Sequence, residues 1–139
     1  MATYKDSKVT NSFPARANDG ENVAFSSVSV SSAAADGDIV QFFQVPAGAT
    51  VVGGVLRCSD LDANGSPTVT VHVGDAGDAD RLFSASTVAR AGGADVALAL
   101  TGLGYKYTAD TLIYATINSP ATGATGTVAL TLFYVVGQV

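Results

Sequence analysis

Two acidic loops hold most of the residues that could do chemistry in this 139-residue chain. In the first, Asp60, Asp62 and Asn64 precede Gly65. That spacing matches the opening of an EF-hand calcium loop, D-x-D-x-N-G. The match stops there, because the position where a bidentate Glu would close such a site is Val71, on an expected strand. Calcium at Asp60, Asp62 and Asn64 is the sharper reading; turn aspartates that cap local amides are the plainer one, and the one adopted. Asp75, Asp78 and Asp80 form the second loop. If the strands flanking these loops pair as neighbours, the two clusters lie at opposite sheet ends and cannot share one ion.

His72 is the one histidine, Cys58 the one cysteine and Glu21 the one glutamate. A cupin-type metal site draws on several histidines plus a carboxylate, so these counts stand against it. A Ser-His-Asp set can be assembled on paper, but no G-x-S-x-G elbow accompanies it, and His72 reads as structural. No catalytic residue and no cofactor is assigned. Cys58, at the end of an expected strand, reads as a small buried thiol, and alone it provides no intrachain disulfide. Tyr105-Lys106-Tyr107, after Gly102-Leu103-Gly104, could stack on a sugar or a partner protein. The alternative is a loop packed against a sheet edge with its hydroxyls hydrogen-bonded. Gly53-Gly54 inside a strand signals a bulge or a close backbone approach rather than a phosphate site, since no helix start follows.

Composition narrows the partners. The net charge is −5 and the nearest thing to a basic cluster is Lys5 and Lys8, so nucleic acid is not expected as a ligand. Charged residues make up 14% of the chain against about 25% in typical soluble domains. A surface so short of charge is either covered by a partner or reflects the abundance of Ala and Gly. No apolar run approaches the roughly 18 residues of a membrane helix, so no membrane association is expected. Met1-Ala2-Thr3-Tyr4-Lys5-Asp6 lacks the apolar stretch of a secretory signal, which points to a soluble protein made in a cytoplasm.

The elements that must position these residues are strands. Helix formers are scarce, and Val, Thr and Gly/Asp turns dominate. Eight β-like runs are expected, at about 23–30, 38–45, 49–57, 67–74, 80–88, 94–100, 111–118 and 126–136. Val69, Val71 and Val73 share one face, opposite Thr68, Thr70 and His72; Val96, Leu98 and Leu100 share another. In the last run Val128, Leu130, Leu132, Tyr134 and Val136 oppose Ala129, Thr131, Phe133 and Val135, so both faces are apolar. The 38–45 run behaves alike, with Ile39, Phe43 and Val45 opposite Val40 and Phe42. Two-sided strands are either central under a covering layer or part of a subunit interface; interface is the reading taken for one face of each. The Gly/Thr/Ala loop at 121–126 is expected to be flexible. The chain divides into an extended N-terminal arm, 1–22, disordered or draped over a neighbour, and a β-sandwich domain, 23–139. The fold class is an all-β, antiparallel two-sheet sandwich, jelly-roll-like.

The segments VPAGATVVGGVLR, DLDANGSPTVTVHVGD, DADRLF, GYKYTADTLIYATI and PATGATGTVALTLFYV, in that order over roughly 38–136, resemble the small phage head decoration or cement proteins encoded near the major capsid protein. The resemblance implies a non-enzymatic virion protein, made in the host bacterial cytoplasm and seated on the capsid surface. It further implies a homotrimer or homodimer that bridges subunits of the major capsid protein. The residues expected at such interfaces are Tyr4 and Phe13 in the arm, with Phe42, Phe133 and Val135 in the domain. The competing readings are a tail, fibre or head-spike receptor-binding domain and a stand-alone carbohydrate-binding module.

Overall fold

The computed structural model describes residues 1–5 and 21–137. Nine strands are defined among them: β1 (Thr3–Lys5), β2 (Glu21–Val30), β3 (Asp38–Val45), β4 (Ala49–Cys58), β5 (Thr70–Asp75), β6 (Asp78–Ser86), β7 (Gly93–Asp95), β8 (Thr111–Asn118) and β9 (Gly126–Val136). One sheet, A, has the order β1-β3-β8-β5-β6; the other, B, has the order β2-β9-β4-β7. All pairings are antiparallel except β1 with β3. Only the β5–β6 hairpin joins neighbours within a sheet; every other connection passes from one sheet to the other. Sheets of order β3-β8-β5-β6 and β2-β9-β4-β7 stacked face to face make a jelly-roll sandwich.

The alternation of Val, Leu and Ile fills the space between the sheets. Sheet A contributes Val40, Val71, Val73, Ile113, Ala115 and Ile117, and sheet B contributes Val28, Val30, Leu56, Val128, Leu130, Leu132 and Tyr134, all buried. In β9 the expected inward set is the buried one, leaving Ala129, Thr131, Phe133 and Val135 on the outer face.

Three local departures from strict alternation matter. In β3 the register shifts between Gln41 and Phe43, a bulge that turns both Phe42 and Phe43 inward. Phe42 is fully buried and packs against Phe43 at 6.3 Å between ring centroids. It therefore belongs to the core and offers no surface to a partner, contrary to the interface expectation. In the 94–100 run only Gly93–Asp95 is strand. The Asp95 carboxylate accepts the Ala97 N–H at 2.9 Å, a turn that ends the ladder and leaves Val96 and Leu100 exposed. In the 67–74 run the strand begins only at Thr70, because the Thr68 and Val69 amides donate to a side chain, Asp62, rather than to a neighbouring strand.

The stretch read as an arm contributes β1 and the first two residues of β2; Phe13 lies outside the described residues. Tyr4, the central residue of β1, is half-buried and packs on the core. The core assignment leads to a direct test. Phe42→Ala should lower unfolding stability by about 3–5 kcal/mol, measured by urea denaturation. Val96→Ser, on an exposed turn, should stay within about 0.5 kcal/mol of the parent. A small effect at Phe42 would contradict the bulge.

Candidate assembly surface

The first acidic loop is spent on amides. Asp62, itself buried, accepts five backbone N–H groups: Asn64 (3.2 Å) and Thr122 (2.8 Å) at Oδ1, and Thr68 (2.8 Å), Val69 (3.1 Å) and Ala121 (2.9 Å) at Oδ2. Burial alone would raise its pKa, but the amides of Ala121, Thr122, Thr68 and Asn64 outweigh that and hold the carboxyl far below the usual range. Asp60 and Asn64 each accept the amide two residues on, from Asp62 (2.9 Å) and Ser66 (2.9 Å). The D-x-D-x-N spacing is thus a run of Asx turns. A calcium ion at Asp60, Asp62 and Asn64 would have to displace the donors around Asp62, so the residues present do not fit that reading.

This ring also pins the 121–126 loop, which sequence composition marks as flexible. Ala63 N–H donates to Thr122 O (2.7 Å), Ala124 N–H to Leu61 O (3.0 Å) and Ala34 N–H to Ala124 O (3.1 Å). Gly123 lies so close to Ala34 that an added Cβ would sit 1.8 Å from the Ala34 carbonyl oxygen.

The second acidic loop is structural as well. The Asp75 carboxylate is gripped by Arg81 through Nε (2.7 Å) and Nη2 (3.3 Å) and by the Tyr107 hydroxyl (3.0 Å), with the Gly77 and Asp78 amides also donating to it. Burial pushes its pKa up, yet the Arg81 and Tyr107 hydrogen bonds and the Arg81 charge hold the carboxyl below its ordinary value. The Arg81 guanidinium stacks 3.8 Å over the Tyr105 ring, which meets Tyr107 edge-on at 4.9 Å. The Tyr105-Lys106-Tyr107 triplet therefore fastens the 96–110 segment to the sandwich, the packing alternative weighed for it above. The two acidic loops sit at opposite ends of β5, although of the strands flanking them only β5 and β6 pair as neighbours.

His72 does not form a catalytic relay with its neighbours. Its Nδ1 accepts the Ala85 N–H at 3.0 Å, and Asp80 Oδ2, 4.0 Å from that nitrogen, takes its hydrogen bond from Ser84 Oγ at 2.9 Å. In a Ser-His-Asp relay the imidazole lies between the serine and the carboxylate; here the serine bonds the carboxylate directly. Burial, reinforced by Asp95, pushes the Cys58 thiol up to about 12, so it stays protonated and inert.

What remains is the outside of the sandwich, and its two faces differ. The outer face of sheet A is mostly polar, carrying Gln41, Gln44, Tyr114, Thr116, Asn118, Thr70 and His72, with Ile39 and Leu112 half-buried among them. The outer face of sheet B is apolar at the end that carries Val23, Phe25, Val52, Phe133 and Val135, and turns to Ser27, Ser29, Thr127 and Arg57 at the other end. Register places Val23 beside Phe133 beside Gly53, and Val135 beside Thr50 beside Lys106 in the next row. A bulge between Val51 and Gly53 pushes Val52 outward. Val23 is 59% exposed, Val52 43% and Val135 37%. Glu21 and Arg57 stand at opposite margins of this face, with no charged residue between them on β2, β4 and β9.

The 96–104 segment lies along the open edge beside β4: Gly104 N–H donates to Val51 O (2.8 Å) and Val51 N–H to Tyr105 O (3.0 Å), and its Leu100 and Leu103 are exposed. It is a held shape, since Thr101 Oγ1 donates to Arg81 O (2.9 Å) and Ala99 N–H to Leu82 O (2.8 Å). Of the residues expected at interfaces, Phe133 and Val135 lie on the outer face of sheet B and Tyr4 and Phe42 do not. Val23 and Val52 were missed; the outward phase of β2, set by Val28 and Val30 facing in, was the signal that could have found Val23.

Two measurements follow from the buried carboxylates. Because the Asp62 pKa is lowered by folding, its contribution is present above the ordinary carboxyl value of about 3.9 and is lost as pH falls below it. Asp62→Asn should lower the unfolding temperature clearly at pH 7, and the gap to the parent should shrink below about pH 4. A gap independent of pH would contradict the charged ring. Tyr107→Phe removes one donor to Asp75 and should cost about 1.5–3 kcal/mol in urea denaturation; a neutral result would contradict the grip described.

No protein-family model matches the chain, and no curated protein does. Solved structures do. A chain in the capsid asymmetric unit of cyanophage Pam1 is 36% identical, with 95% of this chain and 96% of that one covered and a TM-score of 0.78. A chain in the capsid of Ralstonia phage GP4 is 27% identical, with 99% and 100% covered and a TM-score of 0.83. A chain in the acid-stable capsid of Helicobacter pylori bacteriophage KHP30 shares the fold at 16% identity and a TM-score of 0.61, over 85% and 89% of the two chains. A jelly roll over a third identical to a Pam1 capsid chain along nearly its full length belongs to that family of phage capsid proteins and is a virion structural protein.

Proposed function

We propose that this protein decorates the capsid exterior and stabilises the shell by bridging subunits of the major capsid protein, as a homotrimer or homodimer. The observation that carries the reading is the apolar end of the outer face of sheet B. Among the described residues the core is complete without Val23, Val52, Phe133 and Val135, and a partner seated on this face would bury them. A contiguous apolar surface on a small acidic domain is the kind that marks an interaction site. The mostly polar outer face of sheet A is suited to solvent, which gives the domain a shell side and an outer side. The similarity to capsid chains favours the head over a tail, fibre or receptor-binding role.

The energetics suit a repeated lattice. An oligomer engages several equivalent sites at once, and linked contacts multiply affinity. Since the face carries no charge between its margins, attachment should vary little with salt. The role proposed is mechanical, with neither catalysis nor a cofactor in it.

The test is attachment to shells stripped of the protein. Val23→Asp with Val135→Asp should weaken binding at least about tenfold, or 1.4 kcal/mol, in co-sedimentation, with the free domain's unfolding temperature nearly unchanged. Deleting residues 1–22 should also weaken attachment, and it should lower the unfolding temperature because β1, the Ala2 donor to Asp38 and the first two pairs of β2 go with it. Undiminished binding of the double aspartate variant would overturn the assignment of this face, and undiminished binding of the truncated chain would remove the arm from it.

A further inference from the structure

We infer that the groove along β3 that receives β1 is a strand-exchange site, filled in the assembled protein by residues 1–5 of a second copy of this chain. The groove is built around a buried carboxylate. Asp38, 1% exposed, accepts the Ala2 N–H at 2.8 Å and the Ala35 N–H at 3.0 Å, while Ile39 N–H donates to Ala2 O at 2.9 Å. Three parallel pairs follow, Thr3 with Ile39, Tyr4 with Val40 and Lys5 with Gln41, and the Tyr4 ring rests on the core. An empty groove would leave one Asp38 oxygen without its donor and the β3 edge unpaired, so the groove demands an occupant of this sequence.

Nothing in that demand requires the occupant to come from the same chain. β1 pairs in parallel, so no tight turn ties it to its partner strand. It is a three-residue terminal segment, whereas β2 and β9 are joined by ten register pairs that carry the core. β3 alone pairs with β1, so β1 can leave without unpairing any other described strand. Fifteen residues, 6–20, separate Lys5 from Glu21 and reach up to about 50 Å when extended. Identical contacts are then made in cis or in trans, and copies held side by side supply the second strand at high effective concentration. The inference draws on the proposed seating of copies on a shell, but the experiment reads exchange itself, with and without shells.

Thr3 and Ile39 are register partners on the face opposite the inward Tyr4 and Val40, at a separation a disulfide can bridge. Full-length Thr3→Cys and Ile39→Cys proteins, one of them size-tagged, are mixed under mild oxidation and followed on non-reducing gels. Buried Cys58 should stay silent. A Thr3→Cys/Ile39→Cys heterodimer forming at least about tenfold faster than one between Thr3→Cys and Thr127→Cys is the expected result. No heterodimer, in solution or on shells, would overturn the inference, and so would equal rates with the Thr127→Cys control. Shell binding that fails while the heterodimer still forms would count against the decoration reading alone.

Discussion

One carboxylate, that of Asp62, holds an end of this sandwich together. Five amides from two loops converge on it, and through them the connection from β4 to β5 is locked to the connection from β8 to β9. Those loops cross between the sheets, so their alignment helps set how sheet A sits on sheet B. A buried carboxylate is tolerable because every oxygen lone pair it presents is met by a fixed backbone dipole. At the far end of β5, Asp75 does the same work with a cation: Arg81 and Tyr107 fasten the 96–110 segment over the open edge between β6 and β4. The acidic residues that looked like chemistry are thus the joints of the frame.

With the frame closed internally, the outer faces are left to interact. Sheet A turns mostly polar side chains outward, while one end of sheet B turns Val23, Val52, Phe133 and Val135 outward. Such asymmetry makes sense for a domain with a fixed orientation on a larger body. Rigidity matters as well: a face supported by ten-residue ladders and a pinned segment loses little entropy on docking. The Gly53 position contributes by absence, since the Phe133 ring lies beside it, 3.5 Å from where a Cβ would stand.

Much of this could be read from residue order, because period-2 alternation is a physical requirement of a two-layer sheet. β9, with Val128, Leu130, Leu132 and Tyr134 inward, and the outward Phe133 and Val135 are plain in the sequence. Bulges are not, since one extra residue reverses the phase; that is why Val40 and Phe42 share the core with Phe43 and Val45, which strict alternation puts on the opposite face. Nor is a side chain that takes over ladder amides, as Asp62 does at Thr68 and Val69, delaying β5. The run of Val96, Leu98 and Leu100 alternates like a strand but makes no ladder beyond Asp95: a single Ala99 N–H reaches Leu82 O, and the Ala99 carbonyl closes a turn.

The most direct measurement of the central claim is hydroxyl-radical footprinting of the protein free and attached to the shell, read by mass spectrometry. Val52, Phe133 and Val135 should react in the free protein and be shielded on the particle, while His72 and Tyr114 on the outer face of sheet A keep their reactivity. Shielding of His72 and Tyr114 with Val52, Phe133 and Val135 still reactive would place the opposite face on the shell and contradict the account.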